Sequence, residues 1–167
     1  MKLYFLRHGD AGDPQQWEGN DAERPLTDDG RRRMVLEART MRSLELGVDR
    51  VLTSPLLRAL QTAEIVAAEL KRKDHVATDP RLGPNFGRER LAEILRDNQD
   101  VDDLMLVGHD PSMSATVGDL IGGGKISLRK GGLVRVDVPD PAQYSGALEW
   151  LLTPRVLLLD KPRHPSA

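Results

Sequence analysis

Four strand-like runs, each followed by a helix signal, predict an α/β fold in three layers, with a mostly parallel central sheet flanked by helices. Two of those runs, Leu3–Leu6 and Leu104–Val107, are continuously apolar, as strands buried on both faces should be. Prolines stand where helices are expected to open, at Pro55 and Pro111.

Taken in order, residues 2–7 read as the first strand, and residues 9–25, rich in Gly, Pro, Asp and Gln, as an irregular loop. A helix then starts at Leu26-Thr27-Asp28-Asp29-Gly30, with Thr27 as N-cap and acids in the first turn. Met34, Ala38, Met41 and Leu44 form its apolar stripe, and Gly47 ends it. Asp49–Ser54 reads as the second strand, with a helix from Pro55 to about Lys71. Val76–Thr78 reads as a short third strand, and Arg88–Asp97 as a helix whose apolar face is Leu91, Ile94 and Leu95. Asp103–Gly108 is a strong strand signal, followed by a helix from Pro111 to about Ile121 and a break at Gly122-Gly123-Gly124. Leu133–Val138 and Leu148–Leu152 read as two further strands, with another expected at Val156–Leu159, and the tail from Pro162 as loose.

The chain has 167 residues, which suits one domain spanning 1–167, with 39% hydrophobic and 30% charged residues. A net charge of −2 gives no bulk attraction to nucleic acid or to an anionic membrane. No apolar run is long enough to span a bilayer. Only four apolar residues lie between Lys2 and Arg7, so no secretory signal peptide is expected, and the cytoplasm is the expected location. Cysteine is absent, which excludes disulfides, thiolate–metal sites and a cysteine nucleophile.

The chemistry concentrates in three segments. Arg7-His8-Gly9 follows the first strand, Ser54-Pro55-Leu56-Leu57-Arg58-Ala59-Leu60-Gln61-Thr62 follows the second, and Val107-Gly108-His109-Asp110-Pro111 closes the strong one. In open α/β sheets ligands bind beyond the carboxyl ends of the strands, where these segments fall. Arginines grip phosphate oxygens through paired N–H donors and stay charged. A neutral His8 could attack phosphorus to give a phosphohistidine, and a protonated His109 could stabilise the transferring group. Arg7, His8, Arg58 and His109 together describe a pocket for a tetrahedral dianion, with no metal or other cofactor required. Asp110 reads as a cap for the helix opened by Pro111.

The three segments resemble the histidine phosphatase superfamily, also called phosphoglycerate-mutase-like: Arg7-His8-Gly9 matches its signature, Ser54-Pro55-x-x-Arg58-Ala59-x-Gln61-Thr62 its second arginine segment, and Gly108-His109 its second histidine. Arg7-His8-Gly9-Asp10-Ala11, Arg24-Pro25-Leu26-Thr27-x-x-Gly30 and the ending around Trp150–Pro154 are similar to the short SixA-type protein histidine phosphatases. The resemblance spans roughly residues 1–154. It implies a phosphoglycerate-mutase-like fold, His8 as the phosphorylated nucleophile, and Arg7, Arg58 and His109 as the phosphate pocket. It also implies phosphohistidine in a protein as substrate.

Many members of the superfamily carry an acidic proton donor before the third helix. Here Arg81-Leu82 stands where a Glu-Leu is expected, and Asp79 is the candidate substitute. Loss of a general acid costs about 10²–10⁴-fold for leaving groups that need protonation. A phosphoramidate has a weaker P–N bond and a readier leaving group, so the substitution favours a phosphohistidine substrate over an ester. Three other readings stay open: a small-molecule phosphomonoesterase on the same scaffold, an idle phospho-ligand-binding module, and a metal site built on His8, His109 and Asp110. The partner is therefore a phosphorylated protein or a small phosphorylated molecule.

Overall fold

The strands are β1 (Lys2–Arg7), β2 (Arg50–Thr53), β3 (Val76–Thr78), β4 (Asp103–Gly108), β5 (Leu133–Asp137) and β6 (Ala147–Leu152). In the computed structural model, which describes residues 1–159, they form one sheet ordered β3-β2-β4-β1-β5-β6. The first four strands run parallel, and β5 and β6 are antiparallel to their neighbours. The helices are α1 (Asp28–Ser43), α2 (Leu57–Glu69), α3 (Arg88–Asp97), α4 (Ser112–Leu120) and the short α5 (Pro154–Leu157).

The central strands alternate their side chains between two buried faces. Leu3, Phe5, Leu104 and Leu106 join Leu91, Ile94 and Leu95 of α3 and Met113 and Val117 of α4. Tyr4, Leu6, Met105 and Val107 join Met34, Ala38 and Met41 of α1, Ala63 and Val66 of α2, and Leu157 of α5. Burial on both faces is why these strands lack the polar alternation of a one-sided sheet. It also fixes the site. β1 and β4 are neighbours, yet β1 leads into α1 on one face and β4 into α4 on the other. A crevice opens between chains that diverge this way, at the carboxyl ends of the two strands.

Thr27 caps α1 as expected, accepting from the Gly30 amide at 2.9 Å. The helix ends at Ser43, and Leu44, assigned from sequence to the buried stripe, is half exposed just beyond it. α2 starts at Leu57 rather than Pro55, leaving Ser54 and Pro55 in the turn above β2. The loop of residues 9–25 contains two 3₁₀ turns, Pro14–Gln16 and Asp21–Glu23, capped by the side chains of Asp13 and Asn20. The strand expected at Val156–Leu159 is a correction: Pro154 opens α5 there, and Leu157 docks on the α1 face. Short apolar runs do not distinguish strand from helix, and proline at the first helical position decides this one. The tail expected to be loose from Pro162 lies outside the described residues. No described helix is long and apolar enough to cross a membrane.

Candidate active site

Strand register brings the two histidines together. Arg7 pairs with Gly108 across β1 and β4, so the residues that follow, His8 and His109, emerge side by side. Their ring centroids are 5.2 Å apart, and both are buried. The His8 amide donates to the Gly108 carbonyl at 3.0 Å, extending the ladder one step beyond the strands.

His8 Nδ1 lies 2.7 Å from the Gly9 carbonyl oxygen. A carbonyl only accepts, so Nδ1 carries the proton and Nε2 keeps its lone pair. Burial, with the neighbouring His109, Arg58 and Arg7 adding to it, pushes the His8 pKa down to about 3. The ring is therefore neutral at pH 7. Gly9 is required by close packing, since a Cβ there would meet Met34 Cγ at 2.6 Å. Its amide donates to Thr62 Oγ1 at 3.1 Å, and that hydroxyl donates to the Arg58 carbonyl at 2.7 Å. Thr62 thus ties the turn bearing His8 to the helix turn bearing Arg58.

His109 Nε2 lies 2.7 Å from Ser54 Oγ, and burial, then Arg58, lowers its pKa to about 4. Arg58 donates through Nη1 to the Asp21 carbonyl at 2.8 Å and through Nη2 to Asp21 Oδ2 at 3.0 Å. Arg7 donates through Nη1 to the Leu128 carbonyl at 2.9 Å. The nitrogens Arg7 Nε, Arg58 Nε and His109 Nδ1 are buried without a hydrogen-bond partner among the described residues. All three belong to side chains lining one cleft of about 390 Å³. Buried polar groups are nearly always satisfied, so three orphans around one cleft fit an acceptor-rich ligand such as a tetrahedral oxyanion.

Sequence reasoning left three residues of this cleft without a role. Arg24 is buried, donates to the Ala11 carbonyl at 2.8 Å and to Asp21 Oδ1 at 2.9 Å, and so seats the loop over the pocket. Asp21 links Arg24 to Arg58 and is held ionised chiefly by Arg24. Lys130 reaches the rim and binds Asp10 at 2.6 Å. The Arg24-Pro25-Leu26-Thr27 motif was the one available signal. Gln61 and Thr62 of the second segment are explained as well: Gln61 Oε1 accepts from the Leu26 amide at 2.9 Å, fixing the far end of the same loop.

Asp79 is not brought to the cleft. It caps the 3₁₀ turn Pro80–Leu82, accepting from the Arg81 amide, and Arg81 Nη2 binds its Oδ2 at 2.7 Å. Burial pushes this carboxyl up, but the hydrogen bonds from Arg81 outweigh it and hold the group low, hence ionised. Asp110 lines the cleft and accepts from the Ser114 amide and hydroxyl at 3.2 and 2.6 Å, capping α4. It lies 3.9 Å from Arg7 Nη1, so the set His8, His109 and Asp110 comes with two guanidiniums in the same cleft, an environment that opposes a dication.

Residues 3–89 match the histidine phosphatase superfamily, branch 1. An uncharacterised protein of Picosynechococcus sp. is 36% identical over 139 residues, covering 80% of this chain and 83% of that protein. The phosphohistidine phosphatase SixA of Escherichia coli is 30% identical over 125 residues, covering 74% of this chain and 76% of its own. Among solved structures, the protein histidine phosphatase SixA complexed with tungstate superposes with a TM-score of 0.84 at 27% identity, covering 94% of this chain and 99% of that one. The α-ribazole phosphatase of Shigella flexneri, at TM-score 0.74 and 20% identity over 92% of this chain and 97% of its own, shares the fold. With the pocket geometry, these likenesses show that the chain belongs to the histidine phosphatase superfamily, branch 1, as a phosphatase similar to SixA.

Proposed function

We propose that the protein removes phosphate from phosphohistidine in a protein, acting in the cytoplasm without a metal and through a phosphohistidine formed on His8. The observation that carries this is the pair His8 Nδ1–Gly9 O, which leaves an unprotonated Nε2 in a cleft with two guanidiniums. In the first step Nε2 attacks phosphorus, the P–Nε2 bond forms, and the bond from phosphorus to the substrate imidazole breaks, that imidazole leaving neutral with the proton carried on its other ring nitrogen. The Gly9 carbonyl accepts a hydrogen bond from Nδ1–H throughout and stabilises the positive charge the ring acquires. Arg7 and Arg58 bind the equatorial oxygens through fixed N–H donors. A bound dianion counters the burial and the Arg58 repulsion that keep His109 neutral, so His109 gains a proton there and adds a third positive group. In the second step water attacks the phosphorus of phospho-His8, the P–Nε2 bond breaks, and inorganic phosphate leaves with His8 restored.

The leaving group supports phosphohistidine over an ester. Of the carboxylates lining the cleft, Asp21 is paired with Arg24 and Arg58, and Asp110 is engaged by Ser114. Asp79 is locked by Arg81 away from the cleft. An alkoxide leaving group therefore lacks a ready proton donor, whereas an imidazole departs more easily. The similar protein that carries the name SixA is a phosphohistidine phosphatase, and a SixA structure holds tungstate, a tetrahedral oxyanion like phosphate.

The test is turnover of a phosphohistidine peptide against a panel of sugar and glycerate phosphates, with EDTA present. Phosphohistidine is expected to be the fastest substrate. Faster turnover of any ester would replace this reading with a small-molecule phosphomonoesterase. Trapping ³²P on the wild type and not on His8→Ala is expected; no labelling under any condition would mark an idle binding module.

A further inference from the structure

Beside the phosphate cleft lies a second, larger cavity of about 670 Å³, sharing Arg7 and Lys130 with it. Besides Arg7, three guanidiniums line this cavity from three separate elements: Arg33 from α1, Arg129 from the loop before β5, and Arg155 from α5, while the carboxylate of Asp10 on its wall is paired with Lys130. All three residues are exposed. Among the described residues none of them enters an ion pair, although most other arginines of the molecule do, such as Arg42 with Glu69 and Arg50 with Asp100.

The same cavity is lined by a carboxyl that has no place in the phosphate chemistry. Glu37 is 2% exposed, and its Oε2 is buried with no hydrogen-bond partner among the described residues. It fits because residue 131 is glycine: with φ of 80°, any Cβ at Gly131 would run into Glu37 Oε2. Burial raises the Glu37 pKa to about 8, against the pull of Arg33, so the group is a neutral hydrogen-bond donor at pH 7. Three exposed guanidiniums around one cavity, without an ion pair among the described residues, make a site for carboxylates.

We propose that this second cavity docks an acidic segment of the phosphorylated protein substrate, its carboxylates meeting Arg33, Arg129 and Arg155 while its phosphoryl group enters the His8 cleft. The inference rests on the reading of the site as a protein phosphatase and names the kind of protein it would take. A small phosphorylated molecule can fill the phosphate cleft alone. Three cations on three elements call for several carboxylates, as a run of Asp and Glu beside the phosphorylated residue supplies.

The experiment uses two phosphohistidine peptides of equal length, with glutamates or glutamines flanking the phosphorylated residue. Wild-type kcat/KM is expected to be about tenfold higher for the glutamate peptide at low salt, as the sum of three exposed ion pairs gives. The preference should vanish in the triple variant Arg33→Gln, Arg129→Gln, Arg155→Gln and in high salt, with turnover of p-nitrophenyl phosphate unchanged. Equal turnover of both peptides, or a preference that survives the triple variant, overturns the proposal. So does a loss confined to small carboxylate-bearing esters such as 3-phosphoglycerate. Binding of the fluorescein-labelled glutamate peptide is followed in parallel by anisotropy on His8→Ala, with and without the three arginines. Arginine-dependent binding without turnover by the wild type would uphold the docking surface and defeat the enzymatic reading. Turnover without arginine-dependent binding would do the reverse.

Discussion

The two ends of the parallel strands are built to opposite rules. At the amino end Arg50, Lys2 and Asp49 are held by protein partners. Arg50 binds both oxygens of Asp100 and the side-chain oxygen of Asn98. Lys2 meets Asp103, and Asp49 accepts from the amides of Asp102 and Asp103. At the carboxyl end Arg7, Arg58 and His109 each keep a buried nitrogen without a partner among the described residues. One end is closed for stability. The other holds donors in reserve, at a cost in stability, for a ligand that must supply the acceptors.

The sharpest way to break this contrast is Arg58→Ala. Removing one guanidinium from a transferring phosphoryl group should lower kcat/KM by about 10²–10³-fold. Its Asp21 partner is largely solvated, so Tm should move by no more than about 4 °C. Arg58→Lys should recover little, because an ammonium cannot reproduce paired donors. Losses in melting temperature and activity of comparable weight would show that Arg58 is structural.

Acid titration probes the same end. Both imidazoles hold protons less tightly in the folded chain than an ordinary histidine does. Their contribution to stability is therefore complete above pH 6.5 and is lost as the pH falls from there towards about 4 for His109 and about 3 for His8. The acid limb of kcat/KM, which reports the free enzyme, should lie below pH 5 with p-nitrophenyl phosphate as substrate. A limb near 6.5 would mean that neither ring is desolvated as described.

The amino end should answer in the opposite way. Arg50→Ala strands the buried Asn98 oxygen and should cost about 1–2 kcal/mol, or about 2–8 °C in Tm, with kcat/KM unchanged. The smallest effect is expected from Asp79→Asn. Loss of a true proton donor costs about 10²–10⁴-fold, whereas this change should leave kcat within about twofold. A large fall would return Asp79 to the reaction.

The contrast between the ends also explains what the sequence made legible. Strands β1 and β4 were visible because burial on both faces leaves an unbroken apolar run. His8, Arg58 and His109 were visible because each stands at a fixed step beyond such a run or its helix. The seat of Arg24 and Asp21 was not, because residues 9–25 have no periodicity and are held by distant partners such as Gln61 and Arg58. Nor did the sequence reveal the fate of Asp79, since its spacing from β3 says nothing of Arg81 folding back upon it. The helix of Pro154–Leu157 was misread because four apolar residues carry too little pattern, although Thr153-Pro154 held the cue.

One hydroxyl has a wider reach than its size implies. Because Thr62 grips the Gly9 amide and the Arg58 carbonyl together, the attacking ring and the anion clamp move as one body with the start of α2. Their spacing is inherited from folding and need not be found again at each encounter, so thermal breathing of the surrounding loop would alter how often substrate enters while leaving the aim of the attack unchanged.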